Sequence, residues 1–317
     1  MNSNSSNVNG SGDTLLKGND PVRLDVTTAV AQLFVWPFVS IDFFMFYVFL
    51  KRHVLRAEAR YVLFAQTLLA DAIFLMLTDF VVITYHVFLL LPVAMCIPLC
   101  IIMDTLTDVS PTIIVAMSLE RYVAICMPLR HVHIFTPNRT KIVIACVWLF
   151  CFLKTFVDVA IFFSYVTSAY FSQLTFCYFE ILLLQEWHMT MRGNFYILNY
   201  AVVLLILLFF YRSIMHIAQR ASGDDKKAAS KGQRTVLLHL LQLFLCTLET
   251  LCPFIETKII EMGNIDVYLI VRYFNFLAFS VISRATSPLI YGFRDERFYA
   301  SIKQYARCGI ISVSTEK

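Results

Sequence analysis

Apolar residues gather in seven long runs along the 317-residue chain, roughly 29–50, 61–84, 93–126, 141–165, 192–216, 235–258 and 265–292. None shows the two-residue alternation over about ten residues that a barrel strand would carry. Each is long enough for the roughly 20 apolar residues that take a helix across a bilayer core. The pattern predicts an all-α membrane protein, a seven-transmembrane helix bundle over 29–293. A polar tail over 1–28 precedes it and a shorter tail over 294–317 follows.

Composition agrees with lipid as the main solvent. Charged residues make up 15% of the chain and mean hydropathy is +0.70, whereas a soluble globule carries roughly a quarter charged residues. A net charge of +4 without any basic-aromatic patch argues against nucleic acid as a partner. The opening "MNSNSSNVNGSGD" lacks the charged-then-apolar form of a cleaved leader. The first apolar run is therefore expected to act as an uncleaved signal-anchor.

Lysine and arginine set the orientation, since they concentrate in cytoplasmic loops. "KRHVLRAEAR" follows the first run; Arg130, Arg139 and Lys141 follow the third. Arg220, Lys226, Lys227, Lys231 and Arg234 follow the fifth, and Arg294, Arg297, Lys303 and Arg307 follow the seventh. Intervening loops such as "YHVFLLLP" have none. This places the N-terminus outside and the C-terminus inside. Sequons at Asn4 and Asn9 then face the glycosylating side, while the one at Asn138 would stay silent in the cytosol.

"MSLERYVAICMPLRH", residues 117–131, puts Glu120, Arg121 and Tyr122 at the cytoplasmic end of the third run. Two readings are open. Arg121 is a flank that reaches for water and headgroups, or it is a switch held by Glu120 and released when the bundle opens.

The same stretch resembles the third-helix ending of rhodopsin-like G-protein-coupled receptors, and its "RYVAIC-x-PLRH" continuation is similar to that of odorant receptors. "SPLIYGFRDERF" resembles their seventh-helix ending, with Pro288 and Tyr291 at matching places. "LLADAIF" supplies the second-helix Asp71; Trp148 and Pro253 match the fourth-helix tryptophan and sixth-helix proline. The chain departs from the pattern at Ser287, where asparagine is usual, at Glu120, where aspartate is commoner, and at Asp42, in place of the first-helix Gly-Asn pair. It also lacks the extra second-loop cysteines of odorant receptors. Those departures suit a divergent branch of the kind found in fishes.

The resemblance implies a plasma-membrane receptor, in olfactory cilia, that binds a small-molecule odorant within the bundle. It activates a heterotrimeric G protein of the stimulatory olfactory type through Glu120, Arg121 and Tyr122, raising cyclic AMP. The seventh-helix ending, Pro288 and Tyr291, belongs to the same switch. A short cytoplasmic amphipathic eighth helix in "RDERFYASIKQYAR" is implied too, with palmitoylation of Cys308 as one fate of that thiol and a free cysteine as the other. No cofactor or metal is expected.

Family members bond a cysteine at the outer end of the third helix to the second outer loop, which implies Cys96–Cys177 here. Cys96 lies 25 residues before Arg121 (121 − 96), about 38 Å at 1.5 Å per residue. Cys100, one turn deeper, competes for the same partner.

Ionisable residues inside the runs each cost about 2.5–3.5 kcal/mol by insertion scales, so they need partners. In related receptors the second-helix aspartate often holds a sodium ion. Asp71 would have Ser110, Ser283 and Ser287 as polar neighbours, and the Arg284 guanidinium could stand in the cation's place. Asp158, far along the fourth run, is expected to snorkel or sit as a hydrogen-bonded acid. Asp104 and Asp108, four residues apart on one helix face, join Met103, Glu249 and Arg272 as candidates for the ligand pocket. Amine receptors carry aspartate where Met103 stands. Both acids with Arg272 would suit a small zwitterionic or hydrogen-bonding odorant; alternatively Arg272 snorkels and the acids pair internally.

Other classes fare worse. A receptor for a peptide or another endogenous small molecule is the alternative within the class. A transporter would commonly show repeated halves, and none is found. A membrane enzyme would need clustered groups, but His86, His188, His216 and His239 are scattered over different helices and faces.

Overall fold

The computed structural model describes residues 21–177, 179–220, 223–262, 265–292, 295 and 297–305. Asn4, Asn9 and Cys308 lie outside them. Long helices dominate: α1 (Pro21–Lys51), α2 (Ala59–His86), α3 (Val93–Cys126), α4 (Pro137–Tyr165), α5 (Glu186–Arg220) and α6 (Gly223–Glu261). A seventh, α7, runs in three consecutive pieces, Ile265–Asn275, a π-helical stretch Phe276–Val281, and Ile282–Gly292. Short helices His53–Ala57 and Pro128–Ile134 bridge α1–α2 and α3–α4.

Among the described residues six helices are long and apolar enough to cross a membrane: α1 to α5, and Val267–Pro288 of α7. The 39-residue α6 packs between α5 and α7. Large apolar side chains also face outward, as Leu149, Phe150, Phe152, Leu153, Phe156 and Val157 do along α4. Water would penalise such a coat; lipid does not.

Local chemistry explains where several helices start earlier than hydropathy predicts. Thr136 caps α4 by accepting from the Arg139 amide at 3.4 Å, with Pro137 at the first position, where its missing N–H costs nothing. α5 begins at Glu186, six residues before the apolar run, because His188 and Arg192 are polar yet find partners inside the bundle.

One end of the bundle is closed by a bridge. Cys96 of α3 and Cys177 form a disulfide, Cα atoms 5.0 Å apart, while Cys100 is buried outside it. Beside it, strands β1 (Leu91–Pro92) and β2 (Leu174–Thr175) pair antiparallel, Leu91 opposite Thr175. The main apolar core, built from α1 to α4 with Met45, Phe64, Leu68, Ile113 and Met117, lies toward the opposite, Arg121 end.

Candidate functional site

Toward the disulfide end, α3, α4 and α5 share a buried charge cluster. Arg192 of α5 reaches both Asp104 of α3 and Asp158 of α4, and Lys154 of α4 pairs with Asp108. His188 Nε2 lies 2.9 Å from Asp158 Oδ1, and Thr155 donates to Asp104 at 2.7 Å. Tyr196 completes it: Arg192 donates to its hydroxyl at 2.9 Å, and the Lys154 ammonium sits 3.5 Å from its ring centroid. Residues 188, 192 and 196 are spaced four apart, so one face of α5 presents all three. Each acid in the cluster thus has a cationic partner, the arrangement a low-dielectric interior requires.

Deeper, α2, α3, α6 and α7 meet at Asp71, which is 1% exposed. Ser110 donates to it at 2.6 Å and Ser287 at 3.1 Å. Arg284 Nε lies 3.9 Å away. The stronger partner of Arg284 is Glu249 of α6, both of whose oxygens accept from Nη1, at 2.9 and 2.7 Å. Phe74 lies under the guanidinium, 3.5 Å from its carbon. Gln242 of α6 donates to Ser287 at 2.5 Å and to the Ser283 carbonyl at 3.3 Å. The π-helical stretch immediately precedes Ile282 and Ser283; its wider turn resets the register of the last piece of α7. In α1, Asp42 is fully buried, and neither carboxylate oxygen has a hydrogen bond among the described residues.

At the far end of α3, Glu120 is 3% exposed. His131, in the short helix Pro128–Ile134, lies 3.0 Å from Oε1; Arg121 Nε lies 3.4 Å from Oε2, which makes no hydrogen bond among the described residues. Among the described residues Arg121 is therefore held to Glu120 by charge without a directional bond. Tyr122 stacks on Phe210 of α5, ring centroids 5.0 Å apart. Nearby, residues 297–305 form a further helix capped by Asp295, which accepts from the Arg297 and Phe298 amides at 3.1 Å each. Tyr61 of α2 donates to the same carboxylate at 2.8 Å, and Phe298 packs on the rings of Tyr61 and Phe64.

The chain matches the family described as "7 transmembrane receptor (rhodopsin family)" over residues 42–291. It belongs to the rhodopsin family of seven-transmembrane receptors. This receptor is 34% identical to Odorant receptor 131-2 of Danio rerio over 88% of its own length and 85% of the relative's. It is also 25% identical to Melanocortin receptor 5 of Rattus norvegicus, over 62% of its own length and 55% of the relative's. Melanocortin receptor 5 of Mus musculus is 24% identical over the same shares. These relatives are signalling receptors, so the chain is not an enzyme.

Several residues singled out from sequence come together in the receptor. Asp71, Ser110, Arg284 and Ser287 form one polar centre, which Glu249 joins from α6. Ser283 contributes through its carbonyl. Asp104 and Asp108 meet Arg192 and Lys154, whereas Arg272 donates to the Tyr268 hydroxyl on its own helix. Met103 packs against the apolar core. Pro288 is buried near the end of α7; Tyr291 lies in its last turn, its side chain outside the described residues.

Asp158 does not snorkel: it is 6% exposed and carries a cation and a histidine. Lys154 went unpredicted because hydropathy treats an isolated polar residue in an apolar run as noise, His188 and His239 were read only as scattered histidines, and Arg192 lies at the edge of its run. The four-residue spacing of His188, Arg192 and Tyr196 is the signal that could have found the α5 face.

Proposed function

We propose that the receptor is an odorant receptor with its N-terminus and disulfide end outside the cell and the helix over 297–305 along the inner membrane surface. A small water-soluble odorant binds within the bundle, and a heterotrimeric G protein of the stimulatory olfactory type is activated at the Arg121 end. The observation that carries this reading is the weak hold on Arg121. A guanidinium paired among the described residues by charge alone, beside the family's switch tyrosine Tyr122, needs little work to release. Similarity to a zebrafish odorant receptor along most of the chain supports the stimulus class. The clustering of Lys and Arg in alternate loops supports the orientation.

A ligand signals only by binding the open arrangement better than the closed one. Asp104 and Asp108 already carry internal cations, so an odorant competes with those pairs or uses groups nearer α6 and α7, including Glu249 and Arg272. Either route favours a small hydrogen-bonding or zwitterionic molecule. In the polar centre Arg284 occupies the role that sodium plays in related receptors.

The test is a cyclic AMP reporter in cells expressing the chain, screened with small water-soluble odorants and repeated with Arg121→Ala. Responses that vanish in the variant support the reading. Silence across the panel, with the chain at the cell surface, contradicts the odorant assignment. Similarity to melanocortin receptors favours a second reading, a non-odorant peptide or small molecule as ligand; a response to such ligands alone would select it.

A further inference from the structure

The receptor reading leaves unused a buried contact between the two helices whose separation would expose Arg121. Ser118 of α3 and His239 of α6 are both 0% exposed, and Ser118 Oγ lies 2.7 Å from His239 Nδ1. The same hydroxyl donates to the Ile114 carbonyl at 2.9 Å. A serine has one proton and a carbonyl can only accept. The serine oxygen is left to accept, so His239 Nδ1 carries the hydrogen and donates.

The placement is specific. Ser118 stands three residues before Arg121, on the same side of α3. Its buried neighbours along the two helices, Ile114, Met117, Val236 and Leu243, have apolar side chains. One turn further along α6, Gln242 ties to Ser287 and Ser283 of α7, and beyond it Glu249 ties to Arg284. Among the described residues α6 thus carries polar ties toward α7 at three levels, the third from Asn275 to Glu256 at 2.8 Å, and toward α3 at the level nearest Arg121. An apolar contact can slide as helices part; a directional bond in a dry interior either holds or breaks.

We propose that His239 is a positioning residue for receptor switching. Its hydrogen bond to Ser118 pins the Arg121 end of α6 against α3 and has to break before the bundle opens to a G protein. The proposal rests on the receptor reading given above.

The full-length chain in lipid nanodiscs tests it with two readouts. The first is hydrogen–deuterium exchange of backbone amides in residues 117–126 and 235–245, measured without G protein. The second is ligand-free nucleotide exchange on purified heterotrimeric G proteins. His239→Ala and Ser118→Ala should each raise amide exchange in both segments and raise basal nucleotide exchange about fivefold, the effect of losing one net hydrogen bond. The double variant should exceed neither single one. His239→Asn, which places an amide N–H near the position of Nδ1, should return both readouts to the wild-type level.

If His239→Ala does not fold, Ser118→Ala, which removes only a hydroxyl, carries the same measurement. Wild-type amide exchange in the alanine variants, additive effects in the double variant, or no rescue by asparagine would each overturn the proposal. Raised amide exchange without nucleotide exchange from any variant supports the latch and contradicts the G-protein reading instead.

Discussion

Arg284 Nη1 in α7 lies 2.7 and 2.9 Å from the two carboxylate oxygens of Glu249 in α6, while its Nε stands 3.9 Å from Asp71 in α2. One guanidinium therefore serves two acids on different helices, Asp71 buried and Glu249 partly so. Removing it strands both charges, and breaking a buried pair costs about 3–5 kcal/mol. Arg284→Ala should lower the thermal midpoint in detergent by several degrees. It should also make that midpoint rise with sodium but not with potassium, because a small cation can then occupy the vacated space. A sodium-sensitive wild type, or a variant indifferent to sodium, contradicts the substitution of arginine for the ion.

Arg192 links α3 to α4 through Asp104 and Asp158. Residues that share a charge network show coupling of about 0.5–3 kcal/mol in double-mutant cycles. Arg192→Ala, Asp158→Ala and the double variant, compared by thermal denaturation, should be strongly non-additive, with the double variant no worse than Arg192→Ala. Additive losses would mean that the two side chains stabilise the bundle separately.

These two clusters show what sequence could and could not convey. Length and apolarity alone laid out the seven helices, and the resemblance at Cys96 and Cys177 carried the disulfide, because hydrophobic thickness and a short motif are local properties. Asp71, Ser110 and Ser287 were legible as one centre since the family pattern aligns three helices. The partner of Arg284 was not: Glu249 sits on a fourth helix, and its choice over Asp71 depends on the register set by the π-helical stretch at Phe276–Val281. Arg192 was hidden differently, lying at the expected edge of an apolar run when the helix in fact begins at Glu186.

Asp42 presents the opposite case, a fully buried carboxyl with neither oxygen hydrogen-bonded among the described residues. An unsatisfied buried polar group costs about 1–3 kcal/mol, more when charged, and an apolar group of similar shape avoids the cost. Asp42→Leu should raise the thermal midpoint. A clear fall would mean that the carboxyl has a partner beyond those described.

The bridge between Cys96 and Cys177 spans 81 residues. Cross-links over loops of this kind contribute about 2–4 kcal/mol. Cys96→Ser, Cys177→Ser and the double variant should lose the same amount of thermal stability, and the wild type should fall to that level under reductant. A double variant clearly worse than either single one would show that the thiols act independently.

Near the Arg121 end, burial alone would raise the pKa of Asp295. The Tyr61 hydroxyl, the Phe298 amide and the charges of Arg60 and Arg121 outweigh it and hold the carboxyl below its usual range. A depressed native value means that the stabilisation is fully present above the unfolded value of about 3.9 and is lost as pH falls through the lower native one. The helix over 297–305 should therefore stay docked on Tyr61 and Phe64 throughout the neutral range. Asp295→Asn should loosen it at pH 7, read as faster amide exchange over 297–305. Equal exchange in the variant would remove Asp295 as the group that seats this helix.

Nucleotide exchange on purified G proteins, driven by the receptor in nanodiscs with an odorant found active in cells, tests the central claim most directly. Exchange that rises with odorant and is lost in Arg121→Ala, while odorant binding persists, is the predicted result. Undiminished exchange with alanine at position 121 would contradict the account.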